Sequence, residues 1–504
     1  MEKRALALDL GSSSVRAIIF ELTGDGMLRQ VDGALSRRQR QLIRTSPGQA
    51  TFDAGSYFAD LVGCIDELHE RGLLEGVSDV GADCQWHSVV PLDSSGNPLG
   101  EVVSWADTRA YAHFSGAAGG ATKRSAGGVE RVEALRQRTG CAHTGFYWTQ
   151  KVPWLVSAGG AARAATFVGL SEYVGLKLFA DPATSVSMAS GTGLLATASL
   201  DWDPEAVDLA GIKASQLPPL ASRDWTAKPS PEWQRRWPEL AGAAWHPVLG
   251  DGAAANLGAG CDGPGTAALT VGTSAAVRVV RPAPDASRLP AGLWRYCVDH
   301  DRVVVGAAFS SGGQLYRWAL ALWEGAGAQD RPGGMDGGVR YDVAMPVSAG
   351  SEGVGVLPWH SGTRPPATPV PADEGVVFGL GLDHTGAHIA SAAVEAVCFE
   401  LAGGLDDLDA GGGKLEVVAG GGALEGSSWW RQRLASALAR PVRYAADAET
   451  SAQGAAAAAL GASIRAGDGE VVEPVAGEVA ALAEARRRWQ RWRDAATPLA
   501  SGAG

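Results

Sequence analysis

Residues 4–20, "RALALDLGSSSVRAIIF", decide the fold, because they read as two short apolar strands joined by a Gly-Ser-Ser-Ser turn. The same form returns at residues 265–280, "GTAALTVGTSAAVRVV". Laying Gly11 on Gly272 puts Ser12 on Thr273 and Ser13 on Ser274, and brings the flanking apolar runs together. A copy displaced by about half the chain predicts two related α/β domains facing each other across a central cleft. The copies differ in chemistry, since Asp9 in the first stands where Thr270 stands in the second.

A turn of glycine and hydroxyl residues exposes backbone N–H groups and keeps bulky side chains out of the way, which suits phosphate oxygens. One such turn is equally an ordinary hairpin connection. Two at matching places weigh toward phosphate. Asp9, at the end of an apolar strand, either caps its turn or holds a hydrated Mg²⁺ against a polyphosphate.

The chain of 504 residues predicts two large domains, or three. Its net charge of −12 argues against a broad basic face, so nucleic acid is not an expected partner. Six well-separated cysteines read as reduced thiols of a cytoplasmic protein. Asp9 interrupts the opening apolar run too early for a signal peptide, and no uninterrupted apolar run is long enough to cross a bilayer, so no membrane partner is expected either. In "AGSYFADLVGCIDELHERGLL", Tyr57, Leu61, Ile65 and Leu68 recur at helical spacing and predict a core helix.

Three further segments carry polar groups of interest. In "CQWHSVVPLD", Gln85, Trp86 and His87 follow an apolar strand, and polar groups beside a large ring suit a carbohydrate; a lone histidine there is as often a satisfied core residue. In "SWADTRA", Trp105, Asp107 and Arg109 alternate, so an extended segment would point all three one way, as a shared site or a structural ion pair. In "GDGAAANLGAGC", Asp251 stands among residues too small to cover it, as a helix cap or as an open base, with glycines on both sides expected to let the backbone approach the reacting centre.

The ordered set "LALDLGSSSVRA", "WADTRA", "GDGAAANLG", "LTVGTS", "SSGGQLYRW", "AGGGA" and "ETSAQGAAAAAL" resembles the FGGY carbohydrate kinases over almost the whole chain. "RQRTGCAHTGFYWTQKVPWL" and "SMASGTGLLATASLDWD" look most like the gluconate kinases within that family. The resemblance implies two actin-like ATPase (ribonuclease H-like) domains around a cleft. Residues 1–248 would mainly bind sugar and carry the first phosphate turn; residues 249–504 would mainly bind ATP and carry the base. It implies nucleotide contacts at Ser12, Ser13, Arg16, Gly272, Thr273, Gly313 and Gly422, Mg²⁺ at Asp9, and Asp251 as catalytic base. His87, Trp105 and Asp107 fall in sugar-facing segments, and His143, Tyr147 and Lys151 in the stretch like gluconate kinases.

Three positions depart from the family's pattern: Trp86 where a methionine is frequent, Thr363 in place of an acid in a loop like "GERSP", and Ser391 where a helix usually carries arginine. The implied reaction is ATP-dependent phosphorylation of a small-molecule sugar or sugar acid, D-gluconate first, with a ketopentose or polyol kinase and a nucleotide-driven regulatory clamp as alternatives. Lys151, His143 and Arg109 are the cations considered for a substrate carboxylate. A homodimer is left open.

Overall fold

The computed structural model describes residues 3–24, 26–115, 126–158, 160–179, 183–285, 287–324, 347–360, 363, 374–409, 415–445, 449–464 and 469–500. The stretches "AQDRPGGMDGG" and "GTRPPATPVPADEG", whose glycines and prolines predict loops, lie outside them, apart from Thr363, Glu374 and Gly375.

The first sheet is built from β1 (Lys3–Leu10), β2 (Ser14–Leu22), β3 (Leu28–Gln39), β4 (Val77–Cys84) and β5 (Ala244–Trp245), in the order β3-β2-β1-β4-β5. β1 runs antiparallel to β2 and β2 to β3, while β1, β4 and β5 are parallel. The second repeats the plan with β6 (Thr266–Val271), β7 (Ala275–Pro282), β8 (Arg302–Phe309), β9 (Glu416–Gly420) and β10 (Val442–Tyr444), in the order β8-β7-β6-β9-β10, with short strands added at each edge. Its directions match as well. This is the ribonuclease H-like sheet met twice, as in actin-like ATPases, and the sequence repeat is its opening hairpin.

The repeat holds in the turns and slips after them. Leu10 faces Val15 across the first hairpin, whereas Val271 faces Ala275 across the second, whose turn is one residue shorter. The cross-strand counterpart of the Asp9–Arg16 pair is therefore Thr270 with Ala276. A gapless overlay could not register that slip, because side chains in strands change face with each residue.

Alternation gives the first sheet two faces. Leu6, Leu8 and Leu10 pack with Tyr57, Leu61 and Ile65 of α1 (Ala54–Glu70), as the helical spacing predicted. The chain leaves this sheet through Leu249–Gly250, which also pairs with β4, and enters α2 (Asp251–Gly258). In the second half, α3 (Gly313–Glu324) follows β8, and α4 (Gly386–Leu408) lies in the core of the second sheet. α4 is apolar and long enough to cross a membrane, yet 78 % of its apolar stretch is buried inside the fold, where a core helix belongs.

The other face of the first sheet is covered from far along the chain. Ala5, Ala7, Ile18 and Phe20 meet Ala452, Ala456 and Leu460 of α5 (Thr450–Leu460). Backbones touch here: a Cβ on Gly81 would lie 2.2 Å from the Ala455 carbonyl oxygen. α5 also crosses α2 closely, since a Cβ on Gly258 would lie 1.8 Å from the Thr450 oxygen and one on Gly454 would lie 1.9 Å from the Ala254 oxygen. Glycine at these crossings is a steric requirement, and it brings the start of both helices to the ends of β1 and β4.

Candidate active site

A cavity of about 360 Å³ lies between the two hairpins, a size typical of small-ligand sites. Ser12 reaches it from the first turn, Thr270 and Ser274 from the second hairpin, and Asp251 from the start of α2. Asp251 occupies the first helical position, with Gly250 as N-cap, and its Oδ1 accepts a hydrogen bond from Gly252 N at 2.8 Å. The helix start stabilises a negative charge there. The cap-or-base alternative thus resolves structurally into a first-turn carboxylate that also faces a cavity.

The glycines beside Asp251 have a different cause from the one expected. A Cβ on Gly250 would fall 1.8 Å from Cε2 of Trp86, and one on Gly252 would fall 2.8 Å from its Cζ3; Gly191 closes the slot, at 2.4 Å from Cδ1. They make room for the indole, whose Nε1 donates to the Ser187 carbonyl at 3.0 Å. Trp86 in turn packs on Tyr296, with ring centroids 4.8 Å apart, and Tyr296 stacks on Trp294 at 4.4 Å. These rings, with Phe146 and Trp105, form an apolar wall suited to the C–H faces of a sugar.

His87 follows in a left-handed conformation, φ 69°. Its Nδ1 donates to the Gly191 carbonyl at 2.5 Å. It lines the cavity, as does Trp105, whose Nε1 donates to Ser12 Oγ at 3.4 Å.

Asp107 does not share that placement. Residues 104–108 form a turn, closed by Asp107 N donating to Ser104 O, so the alternation expected of an extended segment is lost. Asp107 is buried, pairs with Arg109 at 2.8 Å and accepts from Ala50 N at 2.9 Å, which is the structural ion pair. Lys151 is sealed behind the cavity and donates to the carbonyls of His87 at 2.9 Å and Ser104 at 3.1 Å; burial lowers its pKa to about 7. The Tyr147 hydroxyl meets that of Tyr296 at 2.7 Å, tying the first half of the chain to the second. His143 stands off the cavity lining, its pKa lowered by burial.

The acidic end of the site holds more groups than the sequence indicated. Asp9 and Asp83 are register partners on β1 and β4, at the cleft end of the sheet. Arg16 contacts Asp9 at 3.4 Å and Glu449, which precedes α5. Burial raises the Asp9 pKa to about 6, with Arg16 opposing and Glu449 and Asp251 adding to the rise. Asp83 is likewise raised well above the usual carboxylate range, by burial and then by Asp9 and Asp251, and neither of its sealed oxygens has a hydrogen-bond partner among the described residues. Crowded, unsatisfied carboxylates of this kind fit a hydrated divalent cation, which would offset their repulsion.

Of the positions expected to contact nucleotide, Gly272, Gly313 and Gly422 lie together at the second turn. Gly313 N, at the start of α3, donates to Gly272 O at 2.7 Å. Gly421 abuts β6 so closely that its Cβ would lie 2.6 Å from Val271 O, which brings Gly422 to the same end. A Cβ on Gly272 or on Gly422 would meet nothing within 4 Å, so both border open space. Ser13 is exposed at the first turn. Asp83, Glu449, Trp294, Tyr296 and Arg278 join the site only in three dimensions.

Two family models match the chain: the N-terminal domain of the FGGY family of carbohydrate kinases over residues 4–258, and its C-terminal domain over residues 267–463. A gluconokinase of Bacillus subtilis (strain 168) is 27 % identical over 417 residues, covering 80 % of this chain and 76 % of the relative. A xylulose kinase of Escherichia coli (strain K12) is 26 % identical over 446 residues, covering 87 % and 86 %. Among solved structures, a gluconate kinase from Lactobacillus acidophilus superposes with a TM-score of 0.83 at 24 % identity, covering 100 % of both chains, a likeness that speaks to the fold alone.

Proposed function

The chain belongs to the FGGY family of carbohydrate kinases, whose members transfer phosphate from ATP, and we propose that its acceptor is a sugar acid, D-gluconate first, giving 6-phosphogluconate and ADP. The observation that carries this reading is a cavity bordered by both hairpins, a first-turn carboxylate and a wall of aromatic rings.

Asp251 accepts the proton of the acceptor hydroxyl as its oxygen attacks the γ-phosphorus and the bond to the β-phosphate oxygen breaks, a general-base role typically worth about 10²–10⁴ in rate. The turns at Ser12–Ser13 and Gly272–Thr273, with Gly313 and Gly422, orient the phosphates. Arg16 fixes the Asp9 carboxylate. Asp9 and Asp83 would hold Mg²⁺, which neutralises phosphate charge when bound. Trp86, Trp105 and His87 orient the sugar. Closing the cleft excludes water as a competing acceptor. This assigns the acceptor mainly to residues 1–248 and the nucleotide and base mainly to 249–504. Six buried, unpaired thiols support a cytoplasmic setting.

A coupled ADP-release assay over gluconate, other aldonates, ketopentoses and polyols tests the proposal. Turnover highest with gluconate supports it. Turnover confined to xylulose or to a polyol moves the chain to a different acceptor, and ATP binding with no turnover on any of them removes the kinase reading.

A further inference from the structure

Arg278 lies on β7 at 8 % exposure and lines the cavity. Its Nε donates to Asn256 Oδ1 and its Nη2 to Thr270 Oγ1, both at 3.0 Å. Both partners are neutral, and among the described residues Arg278 makes no ion pair and its Nη1 makes no hydrogen bond. A guanidinium kept out of water with no carboxylate in ion-pair contact is costly unless a ligand supplies a paired anion. Burial accordingly lowers its pKa, with Asp251 opposing.

Position indicates which anion. The stem runs past Gly306, where a Cβ would lie 2.8 Å from Arg278 Cγ and 2.9 Å from Trp294 Cζ2, and past Gly252, where it would lie 3.6 Å from Cδ. The head group thus stands among the rings and beside Asp251. Ser274, the last residue of the phosphate turn, is four residues away along an extended strand, a Cα separation of roughly 13 Å, while Nη2 leans back as far as Thr270, two residues before Gly272. The three cations considered from the sequence do not line this cavity: Lys151 holds two carbonyls, Arg109 is committed to Asp107, and His143 stands apart. Among the described lining residues, Arg278 is the one arginine or lysine.

We propose that Arg278 is the receptor for the acceptor's carboxylate, and that it selects sugar acids over neutral sugars and polyols in this site. The inference rests on the kinase reading and names the group that sets its acceptor class. A guanidinium fork matches a carboxylate in two parallel hydrogen bonds, which an ammonium cannot do.

The test compares gluconate with D-glucitol, its neutral analogue of the same length, in wild type, Arg278→Gln and Arg278→Lys. For each protein, KM and kcat are measured for both acceptors, KM for ATP is followed in parallel, and gluconate binding without nucleotide is measured by calorimetry. In Arg278→Gln the KM for gluconate rises and the preference for gluconate over glucitol falls, each by about 10- to 100-fold, and gluconate binding weakens in step. Arg278→Lys falls between. If both acceptors lose equally while the KM for ATP climbs, Arg278 serves phosphate and the inference fails. A wild type that turns over only neutral acceptors overturns the inference and leaves the kinase standing; one that turns over no acceptor overturns both. Where Arg278→Gln does not fold, an unchanged gluconate KM in Arg278→Lys is the overturning result.

Discussion

The two hairpins share a fold and a turn, yet each surrounds its arginine differently. In the first, Arg16 lies between Asp9 and Glu449, so its charge is matched within the protein and what remains is acidic. In the second, Arg278 reaches a threonine and an asparagine, with Asp251 nearby but no carboxylate in ion-pair contact. The copies differ at two places: Thr270 stands where Asp9 does, and the arginine moves from the cross-strand position of Arg16 to Arg278, two residues past the counterpart Ala276, which on the proposed reading turns a cation site into an anion site. Duplication supplied the scaffold, and the difference between the copies supplied the chemistry.

Four experiments break or sharpen this contrast. Asp251 stands between the hairpins and belongs to neither, so Asp251→Asn is expected to lower kcat by about 10²- to 10⁴-fold while ATP binding and melting temperature hold; near-normal turnover would return it to a structural first-turn residue. Removing the acid of the first hairpin, Asp9→Asn, should raise the Mg²⁺ concentration for half-maximal rate by roughly 10- to 100-fold and leave gluconate binding in calorimetry little changed. Placing an acid in the second, Thr270→Asp, gives Arg278 an internal partner and should weaken gluconate binding by about tenfold; tighter binding would break the comparison. The pH dependence has the smallest effect. Because the Asp9 pKa is raised to about 6, its carboxylate is ionised above that pH and protonated below it. Apparent Mg²⁺ affinity is therefore expected to fall as pH drops through 6, by about fourfold at pH 5.5 from Asp9 alone, and this part of the fall is lost in Asp9→Asn.

The repeat, Asp9, Asp251 and the two-domain plan were legible because each is written in a short local pattern. Arg278 was not, although an arginine in the apolar run "AAVRVV" was a signal; only cross-strand register places it near Thr270. Asp83 carried a similar signal at the end of "VSDVGAD", and its pairing with Asp9 needed the parallel alignment of β1 and β4. Asp107 and Arg109 were read as sharing a direction because alternation was taken as extended chain, and a turn closed by Ser104 removed that. The glycines around Asp251 could not be explained without Trp86, which lies more than 160 residues earlier in the chain.

α5 has a consequence for synthesis. The first sheet is complete in sequence at Gly250, but the helix that covers Ala5, Ala7, Ile18 and Phe20 begins at Thr450, some 200 residues later. At about 5–20 residues per second, the ribosome leaves that apolar face bare for roughly 10–40 s. The first domain is thus finished by the last part of the second, and a chain stalled short of Thr450 is expected to remain open to proteolysis in its first sheet. Production of this enzyme becomes a matter of full-length translation and of whatever shields the nascent face until then.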